Sequence, residues 1–153
     1  MSRSISFTVS AIVTVLALMA SGLAHEHATG VVKERMDGMA AMAKSMKSIA
    51  QRIKTGRNLA TVRTDAEAML PLASKVATWF PSGSNQHPSE AKEEIWQHWV
   101  DFESKGKALE IAISKLTTID TSNPSAVVVQ VRAVNQACGA CHEIYRQKRK
   151  GGE

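Results

Sequence analysis

The sequence predicts an all-α protein, an antiparallel four-helix bundle, and three observations carry that prediction. Four segments place apolar residues at spacings of three and four, the pattern of a helix that buries one stripe. No stretch sustains strand-like alternation, and the only valine run, Val127-Val128-Val129, is short. Turn-forming residues separate the four segments, and short links between helices of several turns favour antiparallel neighbours.

The opening residues stand apart from the bundle. Arg3 gives a basic start, residues 11–20 (AIVTVLALMA) form an apolar run too short for a permanent membrane span, and Gly22 and Ala24 occupy the positions read by signal peptidase. Residues 1–24 are therefore expected to be a cleavable signal peptide, leaving 25–153 as one bundle domain with no stable membrane anchor. A chain starting at His25 would carry His27 third, an arrangement able to wrap Cu(II) or Ni(II) around the free amine, two backbone amides and an imidazole. Coincidence is the simpler explanation of that placement.

The first helical seam runs through Val32, Met36, Met39, Ala43, Met46, Ala50 and Ile53. Thr55-Gly56-Arg57-Asn58 ends it and links it to the second, which runs Leu59, Val62, Ala66, Met69, Ala73, Val76 and Phe80. Pro71 lies inside that segment, so a kink or a split helix is expected there. A loop follows at 81–88, and Ser89 is placed to cap a third helix with Lys92-Glu93-Glu94 near its first turn. The third seam is Ile95, Trp99, Phe102, Gly106, Leu109, Ile113 and Leu116. Asn123 as cap and Pro124 as first helical residue open the fourth, whose seam is Val127, Val131, Val134, Cys138, Cys141 and Tyr145. Trp96, Trp99 and Phe102 read as core rather than as an electron wire, His98 is expected to face solvent, and His87 falls in the loop.

Net charge is +5, falling to +4 once the signal carrying Arg3 is removed. The basic residues are dispersed and aromatics are scarce, so nothing favours nucleic acid. Arg146, Lys148, Arg149 and Lys150 concentrate positive charge at the C-terminal end, which suits an acidic partner protein.

Cys138-Gly139-Ala140-Cys141-His142 carries the chemistry. Two thiols three residues apart on a helix share a face, where both reach the vinyl groups of one haem, and the next residue's imidazole can bind its iron. The motif is complete and uses both cysteines of the chain. A redox dithiol wants a strand before it and an electropositive helix start. A structural zinc site needs four closed ligands, and no second Cys/His pair at ligand spacing exists. The motif therefore predicts one covalent haem c, attached through Cys138 and Cys141, with His142 on the iron. Export agrees, because bacteria attach c-type haem outside the inner membrane, which places the protein in the periplasm.

A haem motif on the last of four helices resembles class II c-type cytochromes, the cytochrome c′ family with its low-spin branch; class I cytochromes c carry the motif near the N-terminus. The resemblance covers nearly all of 25–153. It includes Arg35 with Met39 four residues later, Trp79-Phe80-Pro81, Glu94-Ile95-Trp96 and residues 138–146. By this resemblance Met39 faces the distal side of the iron, where low-spin members carry a ligating methionine and high-spin members a non-ligating residue. A thioether favours ferrous iron and raises the potential. Met36, Met39, Met42 and Met46 share about a third of the helix circumference, so a methionine-rich core stripe is the competing explanation, and Met36 and Met42 are fallback ligands.

Arg35 lies on the seam side one turn before Met39 and wants an anion; the resemblance implies a haem propionate. Arg146, four residues after His142, lies near the proximal face, where it would pair with a propionate or shield the iron, although a C-terminal cation also complements the helix dipole. Gly106, the gap in the third seam, would admit the haem plane or a close helix, or reflects packing alone.

The expected function is a periplasmic electron carrier with His/Met-ligated haem that transforms no substrate. The alternative is a five-coordinate haem that binds nitric oxide or carbon monoxide. An enzyme such as a peroxidase would need a distal proton-transferring group, and the only acid near Met39, Asp37, points away from the seam. A monomer and a homodimer are equally compatible with the seams.

Overall fold

The computed structural model describes residues 28–148. The signal segment, His25 and His27, Arg149 and Lys150 lie outside them. The helices are α1 (Gly30–Thr55), α2 (Val62–Ala73), α3 (Glu94–Gln97), α4 (Trp99–Thr117) and α5 (Pro124–Tyr145), with single 3-10 turns at Leu59–Thr61 and Ala77–Trp79. Four of these are long and make the bundle. Among the described residues no helix is long and apolar enough to cross a membrane.

The predicted stops hold. Gly56 closes α1 at φ 64°, and its N–H bonds the Ile53 carbonyl. Only a residue without Cβ takes this left-handed turn at no steric cost. Asn123 accepts the Ala126 N–H at 3.1 Å and Pro124 starts α5, as their order in the chain predicts. Pro71 sits in the last turn of α2, and the segment splits there into α2 and the 3-10 turn at Ala77–Trp79.

Two expectations need correction. Ser89 caps no helix: its hydroxyl accepts Arg35 and the Ala91 N–H, and α3 begins only at Glu94. The predicted third helix is also broken, because His98 leaves helical geometry at φ −123°, ψ 46° between α3 and α4. Residues 81–93 instead form a strap. The Lys92 N–H donates to the Tyr145 carbonyl at 3.0 Å and the Gln147 N–H to the Glu90 carbonyl at 2.8 Å, so backbone groups that would have started a helix are used against the end of α5.

Packing proceeds from α1 to α2, from α2 to α4 and from α4 to α5. Side chains tie these pairs: Arg52 meets Asp65 between α1 and α2, the Arg63 Nε–H donates to the Thr117 carbonyl at 3.1 Å, and Gln130 donates to the Ala112 carbonyl at 2.8 Å. The core between them contains fully buried Ile49, Val62, Ala66, Ile113, Leu116, Val127 and Val134. Phe102 lies at the centre of an aromatic cluster, with ring centroids of Phe80, Tyr145 and Trp99 at 4.8, 5.3 and 5.5 Å. Trp96 donates to the Phe80 carbonyl at 3.0 Å. Trp96 and Trp99 are thus half-buried packing residues around a phenylalanine hub.

The buried stripe of α1 differs from the predicted seam. Val32, Arg35, Gly38, Met42 and Ile49 face the core, while Ala43 and Ala50 are exposed. Met36, Met39, Ala43 and Met46 line a cavity instead. The spacing of three and four is real, but its middle, from Met36 to Met46, marks the cavity-facing stripe, which Arg35 and Met42 also reach, while its ends, Val32 and Ile53, pack on the core.

Candidate haem site

No close packing joins α1 to α5, and a cavity of about 870 Å³ extends between them. That is at the upper end of the range for small-molecule and cofactor sites, roughly 300–1,000 Å³. Every site residue singled out in the sequence lines it: Arg35 and Met39 from α1, and Cys138, Cys141, His142 and Arg146 from α5 and its end. His87 to Ala91 of the strap form one edge, and Lys105 and Gly106 of α4 form part of the wall.

Cys138 and Cys141 are free and half-buried. Burial pushes both thiols up, Cys141 to about 11 despite the opposing pull of Lys105. Neutral thiols at this depth do not suit a redox dithiol, which needs a stabilised thiolate. No three His, Cys, Asp or Glu residues cluster as a metal site among the described residues, so zinc gains no support either. His142 is exposed by surface area, yet the surrounding protein still desolvates it; that and the nearby Arg146 lower its pKa, while Glu90 pulls the other way. A neutral imidazole is the form that binds a metal.

Arg35 is buried at 5% exposure. Its two terminal nitrogens donate to the Trp79 carbonyl at 3.1 Å, the Ser84 hydroxyl at 3.3 Å, the Ser84 carbonyl at 2.7 Å and the Ser89 hydroxyl at 2.6 Å. The guanidinium also lies 4.4 Å over the Phe80 ring. All these partners are neutral, so a buried cation stands at the cavity wall with no carboxylate beside it among the described residues. Buried charges are ordinarily paired. A haem c fits this arrangement on three counts: paired thiols on one helical face, an imidazole on the adjacent residue, and an uncompensated cation for its carboxylates.

Arg146 is different, because it already has a counter-ion. Its Nε and Nη2 donate to Glu90 Oε2 at 2.7 and 2.6 Å. Gly106 is not forced by close helix packing: a Cβ there would meet Val76 at an ordinary 3.7 Å. Met39 is one of four half-buried or buried methionines of α1 on the cavity, with Met69 of α2 a fifth. Asp37 is exposed and pairs with Lys33 at 2.5 Å, away from these groups.

Two residues of the site's support were not singled out in the sequence. A Cβ on Gly38 would lie 2.2 Å from Cη2 of the Trp79 ring, so only glycine permits this contact. Glu90 sits among mixed charges in a loop, and nothing local distinguishes it. A small residue between Arg35 and Met39 was the available signal for Gly38; Glu90 had none.

The family described as Cytochrome C′ matches residues 30–146 of the chain. Cytochrome c-556 of Agrobacterium tumefaciens is 29% identical over 128 residues, spanning 81% of this chain and 97% of that protein. The crystal structure of cytochrome c′ from Thermochromatium tepidum matches with a TM-score of 0.72 at 27% identity, covering 77% of this chain and 95% of the other. A nitric oxide complex of a mutant cytochrome c prime from Alcaligenes xylosoxidans matches at TM-score 0.69 and 25% identity, covering 77% and 94%.

Proposed function

The chain belongs to the cytochrome c′ family, and from that premise we propose that it is a periplasmic electron carrier whose haem iron is bonded by His142 and Met39. Membership brings covalent haem c, and when bound that group supplies a one-electron couple at its iron. The remaining work belongs to the chain. Cys138 and Cys141 fix the ring to α5. His142 offers a neutral nitrogen, and Met39 a soft sulfur that favours the reduced metal. Arg35, held by its bonds to Ser84 and Ser89, presents positive charge to a haem carboxylate. Residues 1–24 direct export and are removed.

The observation that carries this reading is the shared cavity: α1 brings Met39, and α5 brings His142, to one apolar space with no proton-transferring group aimed into it from the distal helix. Two fixed ligands leave little geometric change on reduction, which suits electron transfer. The optical and spin-resonance spectra of the matured protein test it. A low-spin ferric signal that turns high-spin in Met39→Ala is expected, and a high-spin signal in the unaltered protein overturns it.

A second reading is a five-coordinate haem that binds nitric oxide or carbon monoxide. It draws support from the likeness to a protein solved with nitric oxide bound. Rapid gas binding with no loss of a thioether ligand would select it. The redox partner is read as an acidic protein that meets the C-terminal basic end. The Glu90 pair already offsets Arg146, leaving Lys148, Arg149 and Lys150 to steer encounter. Neutralising these three should slow electron transfer and flatten its salt dependence; an unchanged rate and slope would remove the idea.

A further inference from the structure

Glu90 lies on the strap, 52 residues before His142 in the chain, yet the two share one cavity wall with Arg146. Folding brings them together through the short bridge between Ala91 and Arg146. One carboxylate oxygen of Glu90 takes both Nε and Nη2 of Arg146, at 2.7 and 2.6 Å. Arg146 lies four residues after His142, the imidazole read as the iron ligand, just past the end of α5.

The pair does little to hold the strap. The side chains of Arg146 and Glu90 are 43% and 32% exposed, and ion pairs so open to water contribute about 0–1 kcal/mol. The strap has its own fastenings: the Lys92 N–H on the Tyr145 carbonyl, the Gln147 N–H on the Glu90 carbonyl, and Lys92 Nζ on the Ile144 carbonyl at 2.9 Å. None of these needs the Glu90 carboxylate. The carboxylate places a negative charge directly on the Arg146 cation, beside the residue read as the proximal ligand.

We propose that Glu90 is a positioning residue for the redox reaction: it holds the Arg146 guanidinium in place and neutralises it, and so sets the reduction potential of the iron. Ferric iron carries one more positive charge than ferrous iron, so a bare cation nearby disfavours the oxidised state and a bare anion favours it. Groups around a metal's ligand tune it in this way in many sites. The inference rests on His142 as the proximal ligand and not on Met39, so an error in the distal assignment, visible in the spin state, leaves it standing.

The test is the midpoint potential of the haem-loaded protein at low ionic strength. Glu90→Gln should raise it, Arg146→Gln should lower it, and the double variant should return it close to the parent value. Both single shifts should shrink as salt is added. A strap that merely loosened and admitted water would move both single variants in the same direction, and that result, or no shift in either, overturns the assignment. Arg146→Lys keeps the cation and supplies a check that does not depend on Glu90→Gln taking up haem. A potential near the parent value is expected, and a fall as large as that of Arg146→Gln would overturn the proposal.

Discussion

Gly38 shows how much of the site depends on an atom that is absent. The Trp79 ring fills the place a Cβ would take, and its Nε1–H donates to Glu34 at 3.0 Å while its carbonyl accepts Arg35. The first bond anchors the ring and the second anchors the backbone that carries it. Ala is better than Gly in a helix interior by about 0.8–1.0 kcal/mol, but forcing extra volume into a tight contact costs about 1–3 kcal/mol. Gly38→Ala is therefore expected to destabilise the protein by up to about 2 kcal/mol in a denaturant titration. Trp79→Leu should reduce that penalty; stabilisation by Gly38→Ala alone would show that the ring is free to move. Arg35 argues the same point from the other side. Its position on the inner side of α1 was legible from spacing, but its hydrogen-bond partners were not, because Ser84 and Ser89 come from a loop whose path no periodicity describes. Arg35→Lys keeps the charge but supplies three donors where four are used, so it should recover only part of the stability lost in Arg35→Met. Full recovery would show that charge, not the fork of hydrogen bonds, holds the strap.

At the scale of elements, the two residues expected to cap helices behave differently for a physical reason. Asn123 has only its own N-terminus to serve. Asn123→Ala should cost about 0.5–2 kcal/mol, read as a lower melting temperature. Ser89 serves Arg35 and Ala91 instead, so the third helix starts late. Capping chemistry is local and legible in sequence; competition from a residue 54 positions away is not. Tyr145 offers a test of how α5 is held to α4. Its hydroxyl donates to Asp101 Oδ2 at 2.6 Å, and burial, with that carboxylate beside it, pushes the phenol up to about 12. In the unfolded chain the phenol titrates near its ordinary value of about 10. Below that pH both states hold the proton and the contribution is constant. Between 10 and about 12 the unfolded chain ionises first, so stability falls as pH rises. Tyr145→Phe should remove that part of the alkaline slope, and an unchanged slope would place its origin elsewhere.

For the whole molecule, the decisive fact is that α1 reaches α5 across a cavity rather than through packed side chains. Spacing alone did not show it. The seams for the second and third segments, and for the fourth as far as Val134, name mostly buried residues, because those faces largely meet protein, whereas Cys138 and Cys141 turn to the cavity. The seam of the first segment names the methionines that meet the cavity, since a stripe apolar enough for a porphyrin is indistinguishable by spacing from one that packs against a helix. The strap escaped notice for the opposite reason, having no period at all. The same architecture predicts what haem removal does. A chain with Cys138→Ala and Cys141→Ala keeps the contacts of α2 with α4 and of α4 with α5, while Met36, Met39 and Met46 lose the surface they would cover. Hydrogen exchange should then speed most in α1 and in residues 81–93, with α4 and the first half of α5 better protected. Melting should fall relative to the loaded protein, as it does whenever a group bound only by the folded state is withdrawn. Equal acceleration across all helices would mean that the cavity is not a divide in the bundle, and that α1 is held by its contacts with α2 alone.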